Sequence, residues 1–443
     1  MSSRLSAWLD HWSPVLPLLV AEGVIALGFG AILPILSVYY THHGVDLPTL
    51  GFVVAAWPAA RLLGEPFFGR LADRASRKRM MIAALLVSSV AVTLPVVVSG
   101  AIPFIILRAI GGLGAAAYDP AARGYLVDAN PPERQGETFG LYSSAQMGGF
   151  MVGPAVGGLA AAITGEPSVV FWVFGLAYAV SALVVALRVA DRPHVVMPTA
   201  AAAATAEAKA DMTGDRAVGA RIAATEPDAD PDADDAPKPT RLLNRLLIVA
   251  LVLNVGAYLA GGTYEVIWSL YMTSLGASFE LIGVSFFTFS LPVLLLSPFT
   301  GRFVDRQGGF LALAMGMLGV AVCGLAYPAI PSVWWMIGLG LVEGTAAALS
   351  SPALYTLVAR AAPPGRSSTA QGLFGAAGTS GTIVASIATG AMAAIDLRLP
   401  FIAMGVTTLV LLGLGLALGG RVLWSALQPH HLSAAVPASE VAG

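Results

Sequence analysis

Gly69-Arg70-Leu71-Ala72-Asp73-Arg74-Ala75-Ser76-Arg77-Lys78-Arg79 returns 232 residues later as Gly301-Arg302-Phe303-Val304-Asp305-Arg306-Gln307-Gly308-Gly309. The same offset carries Gly51 onto Gly283, Pro66-Phe67 onto Pro298-Phe299 and Pro120-Ala121 onto Pro352-Ala353. It carries Pro131-Pro132 onto Pro363-Pro364, Arg134 onto Arg366 and Gly140-Leu141 onto Gly372-Leu373. Gly149 and Gly158 fall on Gly381 and Gly390. No gap is needed across the whole register, so the chain is a tandem duplication rather than a biased composition that resembles itself by chance.

What is duplicated is apolar. The 443 residues are 56% hydrophobic and 11% charged, with a mean hydropathy of +0.77. A soluble domain keeps about 25% charged residues, so lipid is the solvent here. A spanning helix needs about 20 mostly apolar residues. The sequence supplies twelve such stretches, at 14–40, 48–69, 79–99, 101–123, 138–163, 168–190, 244–273, 279–301, 309–330, 332–359, 368–394 and 399–424. Helices are required because lipid offers no hydrogen-bond partner to an open backbone. The first stretch is too long for the apolar core of a signal peptide and reads as a retained span. The expected organisation is a six-helix half over 1–190, a disordered cytoplasmic linker over 191–243, a second six-helix half over 244–424 and a cytoplasmic tail over 425–443. The linker reading rests on its Ala, Asp, Pro and Thr content and on the acidic run from Glu226 to Asp235, which cannot bury enough apolar surface to fold.

Basic residues set the orientation. With residue 1 inside, 21 of the 24 Lys and Arg lie in cytoplasmic segments, Arg61 and Arg108 lie within spans, and Arg398 alone falls outside. The positive-inside rule therefore places both termini in the cytoplasm. Both copies start on the same side, so the repeat is parallel, about an axis along the membrane normal. The composition also excludes several classes. Cys323 is the only cysteine, so no internal disulfide and no thiolate metal cluster can form. The six His take no metal-ligand spacing, and no basic stripe suits a nucleic acid. No Walker sequence is present and no nucleophile, base and orienting group fall together, so no cofactor and no enzymatic activity are expected.

The loop at Gly69–Arg79 resembles the G-x-L-A-D-R-x-G-R-K signature of the major facilitator superfamily, with Ser76 in place of the second glycine. Leu107-Arg108-Ala109-Ile110-Gly111-Gly112-Leu113-Gly114 in the fourth span resembles that family's Arg-and-glycine pattern. Gly149-Phe150-Met151-Val152-Gly153-Pro154-Ala155-Val156-Gly157-Gly158 in the fifth resembles its antiporter motif, G-x-x-x-G-P-x-x-G-G. Asp128-Ala129-Asn130-Pro131-Pro132-Glu133-Arg134 resembles its D-x-x-P-x-x-R. The resemblance covers nearly the whole chain outside the linker and tails. It implies the all-α major facilitator fold, twelve spans in two halves, working by alternating access and as a monomer. It further implies a gating role for Gly69, Asp73, Arg74, Arg77, Asp128, Arg134, Asp305 and Arg306, proton coupling at Arg108, and an export function tied to Gly149, Gly153, Pro154, Gly157 and Gly158.

The residues themselves add the site chemistry. Glu22, Glu265 and Glu343 each stand alone in apolar sequence within the first, seventh and tenth spans. A carboxylate in such surroundings can be neutral in one state and charged in another, so it can carry a proton and also attract a cation. Tyr264 and Trp268 flank Glu265, and aromatic faces suit lipophilic cations. Phe286, Met147 and Met151 are candidates for an adaptable apolar wall. Arg61 and Glu65, four apart on one helical face, are expected to neutralise each other. The sum is a proton-driven exporter of amphipathic or cationic small molecules in the cytoplasmic membrane, with substrate, protons and lipid as its partners. Proton-coupled uptake of a nutrient and a non-transporting membrane sensor are the alternatives.

Overall fold

A computed structural model describes residues 12, 15–130, 135–191, 242–363 and 366–428. The described helices are α1 (Leu16–Ile32), α2 (Leu36–His42), α3 (Leu47–Ala72), α4 (Arg77–Thr93), α5 (Ala101–Ala129), α6 (Gln135–Thr164), α7 (Val169–Arg188), α8 (Arg245–Ser274), α9 (Phe279–Gln307), α10 (Phe310–Ala326), α11 (Val333–Ala361), α12 (Ser367–Ala393) and α13 (Leu399–Ala426). Among the described residues, eleven helices are long and apolar enough to cross a membrane, and α1 with α2 makes a twelfth span bent by 49°. The protein is thus an all-helical, multi-pass membrane protein of two six-span halves. Most of the linker and the tail beyond 428 lie outside the described residues.

The first span departs from the single helix expected over 14–40. Pro34 lacks the backbone N–H and crowds the preceding turn, so the helix stops at Ile32 and resumes at Leu36. The break has a use. It leaves the Leu33 carbonyl open to the Ser269 hydroxyl of α8 at 3.2 Å, while Ser37 Oγ donates to the Glu265 carbonyl at 2.7 Å. One proline therefore seats the first span of one half against the first span of the other. Pro154 behaves differently, since α6 runs through it without interruption.

Glycines decide how closely the helices approach. Gly149, Gly153 and Gly157 sit four apart on α6, and a methyl group on any of them would strike the α1 backbone at Gly23, Leu27 or Ala31. This is the small-residue packing by which membrane helices associate without a hydrophobic driving force. The contact between the halves uses the same device twice. A methyl on Gly158 would lie 2.5 Å from the Phe279 carbonyl of α9, and one on Gly283 would meet the Pro154 carbonyl of α6. In the partner pair, a methyl on Gly390 would lie 2.6 Å from the Leu47 carbonyl of α3, and one on Gly51 would lie 2.5 Å from the Ser386 carbonyl of α12. Gly51 and Gly283, like Gly158 and Gly390, are equivalent positions of the repeat. All four lie toward the end of the bundle that carries the loops 43–46, 165–168, 275–278 and 394–398. Toward the opposite end, Gly69 and Gly301, and Gly140 and Gly372, have nothing within 4 Å of the same probe. The halves are packed together at one end and apart at the other.

The last span ends in a clasp. Gly420 takes a positive φ of 47° inside α13, a conformation glycine adopts without penalty. Arg245 Nε donates to the Leu418 carbonyl at 2.6 Å, beside this break. Beyond it, Arg360 Nη1 reaches the Ala426 and Gln428 carbonyls at 2.5 and 2.9 Å, and the Gly309 N–H reaches Leu427 O at 2.7 Å.

The glycine contacts yield a direct test. Gly158→Val or Gly390→Val is expected to hold the packed ends apart and to cost about 1–3 kcal/mol through overpacking. Spin-label distances across loops 165–168 and 275–278 for the first variant, and across loops 43–46 and 394–398 for the second, check this and should lengthen while far-ultraviolet helicity is kept.

Candidate functional site

The lone carboxylates of the first, seventh and tenth spans, Glu22, Glu265 and Glu343, have each found partners the sequence could not name. Glu265 meets Arg108 of the first half, with Nη2 to Oε1 at 2.5 Å, and the same Nη2 reaches the Val54 carbonyl at 3.1 Å. Arg108 is 7% exposed, so this is a nearly dry ion pair that joins the two halves. Breaking such a pair by removing one partner leaves an uncompensated charge.

Glu343 is 1% exposed and makes no ion pair among the described residues. Instead Tyr264 donates to Oε1 at 2.6 Å and Tyr327 donates to Oε2 at 2.7 Å. Tyr264 comes from α8, one residue before Glu265. Tyr327 is held at the end of α10 by a short 3-10 turn, Tyr327–Ala329, with Pro328 at its centre. Trp268, one helical turn after Tyr264, donates from Nε1 to Ser285 Oγ at 2.8 Å and stands edge-on to Tyr327 with ring centres 5.0 Å apart.

These groups open on a cavity of about 450 Å³, within the range of small-molecule sites. Its wall is mostly second-half: Asn254, Tyr258, Tyr264, Glu265, Trp268, Phe286, Phe289, Glu343, Tyr355 and Phe374 all contribute, and Phe29 and Phe150 close it from the first half. Tyr264, Trp268 and Phe286 are among the lining residues. Met147 and Met151 do not line it. Met147 is 47% exposed, and the α6 residue that turns inward is their neighbour Phe150.

Glu22 lies apart from this cavity. It is 3% exposed, accepting from Tyr142 at 2.8 Å and from Gln146 Nε2 at 2.7 Å, both on α6. The pair Arg61–Glu65 forms at 2.9 Å as expected, but Arg61 also holds Asp119 at 2.6 Å and sits 5.5 Å above the Trp57 ring.

At the loop end, Arg77 pairs with Asp128 and with the Gly124 carbonyl, the latter at 2.5 Å. Asp73 stands differently from its expected place in this network. It caps the end of α3, is exposed, and has no ion-pair partner among the described residues. Arg74 is likewise exposed. Arg134 lies outside the described residues, as do the side chains of Asp305 and Arg306, whose backbones belong to the last turns of α9. No group of three or more metal-binding side chains occurs among the described residues.

Sequence reading missed Tyr327, Asn254, Tyr142 and Gln146. Tyr142 and Gln146 carried a usable signal, being long polar side chains one helical turn apart within the fifth span. Tyr327 carried none, because only the turn at Pro328 aims it inward.

The Major Facilitator Superfamily profile matches residues 18–256 and 250–432, nearly the whole described chain. The chain belongs to the Major Facilitator Superfamily. It is 31% identical over 141 residues to the quinolone resistance protein NorA of Staphylococcus aureus, a stretch that covers 32% of this chain and 36% of that protein. It is 33% identical over 135 residues to multidrug resistance protein 2 of Bacillus subtilis, covering 30% of this chain and 34% of that one. The chain thus matches about a third of the length of these relatives. Among solved structures, the bacterial homologue of the human lysosomal transporter Spinster, inward-facing and occupied, superposes with a TM-score of 0.70 at 14% identity, covering 94% of this chain and 98% of that one. The peptide transporter POT gives a TM-score of 0.70 at 15% identity, covering 94% and 95%. Both likenesses show a shared fold.

The ion pair makes a measurable claim. Arg108→Leu is expected to cost about 3–5 kcal/mol by stranding Glu265, and Arg108→Leu combined with Glu265→Leu should recover most of it. Thermal unfolding of the four proteins of this double-mutant cycle in detergent reads the coupling.

Proposed function

We propose that this protein is a proton-coupled antiporter that exports amphipathic, cationic small molecules across the cytoplasmic membrane. The observation that carries the reading is the cavity of about 450 Å³ in which a carboxylate that makes no ion pair among the described residues, Glu343, is ringed by Tyr264, Trp268 and Tyr327. Aromatic faces and a buried carboxylate together suit a lipophilic cation. The similarity to a quinolone resistance protein and to a multidrug resistance protein supports this reading.

In this reading both termini are cytoplasmic, in keeping with the distribution of Lys and Arg, and the open end of the bundle faces inward. A cation entering from the cytoplasm competes with a proton for Glu343. Loading also weakens the hold of Arg108 on Glu265, the pair that spans the halves, and the bundle rocks to its outward-open form. Arg77, Asp128, Gly69 and Asp73, with Arg74, Arg134, Asp305 and Arg306, bias that two-state equilibrium at the inner ends. Each proton returned supplies about 1.36 kcal/mol per pH unit, and each net charge moved about 2.3 kcal/mol per 100 mV.

Everted membrane vesicles test the proposal. After energisation, a lipophilic cation should dissipate the pH gradient only when the wild-type protein is present, and Glu265→Gln should abolish the effect. Dissipation by a sugar or an organic acid, with none by cations, would replace export with nutrient uptake.

A further inference from the structure

The position that is Glu22 in the first half is Asn254 in the second, at the constant offset of 232, and its two donors Tyr142 and Gln146 become Phe374 and Gly378. The setting is the same, since α8 packs along α12 as α1 packs along α6. In the first half the three side chains close on one another: Glu22 accepts from the Tyr142 hydroxyl at 2.8 Å and from Gln146 Nε2 at 2.7 Å. In the second half both donors are gone, because phenylalanine has no hydroxyl and glycine has no side chain. Position 378 is also closed to their return. A methyl there would lie 2.8 Å from Asn254 Nδ2 and 3.0 Å from the Tyr258 ring.

Asn254 keeps one bond of its own, from Nδ2 to the Phe374 carbonyl at 2.6 Å. A carbonyl oxygen only accepts, so this bond fixes which arm of the amide is the nitrogen and leaves Oδ1 as the other. No described residue donates to Oδ1. Asn254 is 1% exposed, and both it and Phe374 belong to the cavity wall. A buried acceptor without a donor is costly, and a ligand that brings the donor removes that cost. The groups that serve this position in the first half, a hydroxyl and an amide N–H, define the chemistry required.

Placement narrows it further. Tyr264, which holds Glu343, follows Asn254 by ten residues on α8 (254 to 264), about 15 Å along the helix axis. Ala257, Tyr258 and Gly261 carry the cavity wall from one to the other at spacings of three and four. The cavity therefore runs along one face of α8, with a carboxylate toward one end and an amide oxygen toward the other.

We propose that the Asn254 end of the cavity is a donor-recognition subsite, and that the substrates are elongated cations carrying an O–H or N–H group roughly 15 Å from the positive centre. The inference rests on the cation reading of Glu343 and narrows its substrate class. The positive centre sits with Glu343 among Tyr264, Trp268 and Tyr327. The distal group donates to Asn254 Oδ1, in the place that Tyr142 and Gln146 take beside Glu22.

Two matched pairs of probes test this: decyltrimethylammonium with its ω-hydroxy derivative, and butyltrimethylammonium with its own. The decyl chain is long enough to span the two ends and the butyl chain is not. Displacement of a fluorescent lipophilic cation from the purified protein gives, for each pair, the ratio of dissociation constants, plain over hydroxylated. Comparing that ratio between proteins cancels partitioning of the probes into detergent. The proteins are wild type, Asn254→Leu, which removes the acceptor, and Phe374→Tyr, which keeps the ring and restores the hydroxyl found at the equivalent Tyr142. In both variants the decyl ratio is expected to fall by about three- to tenfold, while the butyl ratio stays as in wild type. A thermal unfolding scan admits folded variants only, and Phe374→Tyr decides alone should Asn254→Leu fail to fold. An unchanged decyl ratio in the folded variants overturns the subsite. So does an equal loss of affinity for both members of the pair, which marks Asn254 as structural. A butyl ratio that falls together with the decyl ratio overturns the elongated class. A wild-type protein that binds none of these cations overturns the cation reading and the subsite with it, whereas cation binding with an unchanged ratio overturns the subsite alone.

Discussion

A charge inside a helical membrane bundle has to be met by another group, because lipid supplies none. That constraint organises the interior of this protein. Arg108 cannot stand alone in the fourth span, and its answer is Glu265, contributed by the other half of the molecule. Arg61 answers both Asp119 and Glu65. Glu343 and Glu22, with no cation in hydrogen-bond contact, are each met by two neutral donors. The last two arrangements satisfy a carboxylate without neutralising it. A group so held remains able to take up a proton or to face a positive ligand, and that is the property an exchanger needs.

Duplication and divergence explain where these groups lie. The gap-free register of 232 residues keeps the glycines at the junction of the halves identical in both copies, Gly51 with Gly283 and Gly158 with Gly390. The polar interior is where the copies have separated. One half gathered ionisable side chains around Glu22 and Asp119, and the other gathered aromatic rings around Glu343. The cavity between them draws most of its wall from the second half, so the two copies share an architecture and divide the chemistry.

The fold was legible because its causes are local and repeated. Span lengths, apolar composition, the doubled Gly-x-x-x-Asp-Arg loop and the bias of Lys and Arg each follow from short stretches of sequence. The candidate site was legible only in part. Glu265, Glu343 and Glu22 announce themselves as lone carboxylates in apolar spans, and Tyr264 and Trp268 lie beside one of them. Their partners sit far along the chain, 157 residues in the case of Arg108 and Glu265, and no periodicity records such a distance. The break at Pro34 illustrates the limit. A proline inside an apolar stretch is visible in sequence, but that the freed Leu33 carbonyl would receive Ser269 from the other half depends on tertiary geometry. Met147 is the converse case, since its residue type suits a pocket and it does not line this one.

The glycines at the junction of the halves have a mechanical consequence. Side chains that interlock must withdraw and re-seat when two bodies turn against each other, and every withdrawal adds friction. At Gly51, Gly158, Gly283 and Gly390 there is nothing to withdraw, since backbone lies directly on backbone. The junction is a smooth bearing, placed symmetrically on both sides of the pseudo-two-fold axis. Resistance to the turn is therefore concentrated in the few bonds that cross elsewhere, among them the Arg108–Glu265 pair. In the antiport reading proposed above, such a junction leaves the turn to be held by the few bonds that cross it, the Arg108–Glu265 pair and the Ser37 and Ser269 hydrogen bonds among them.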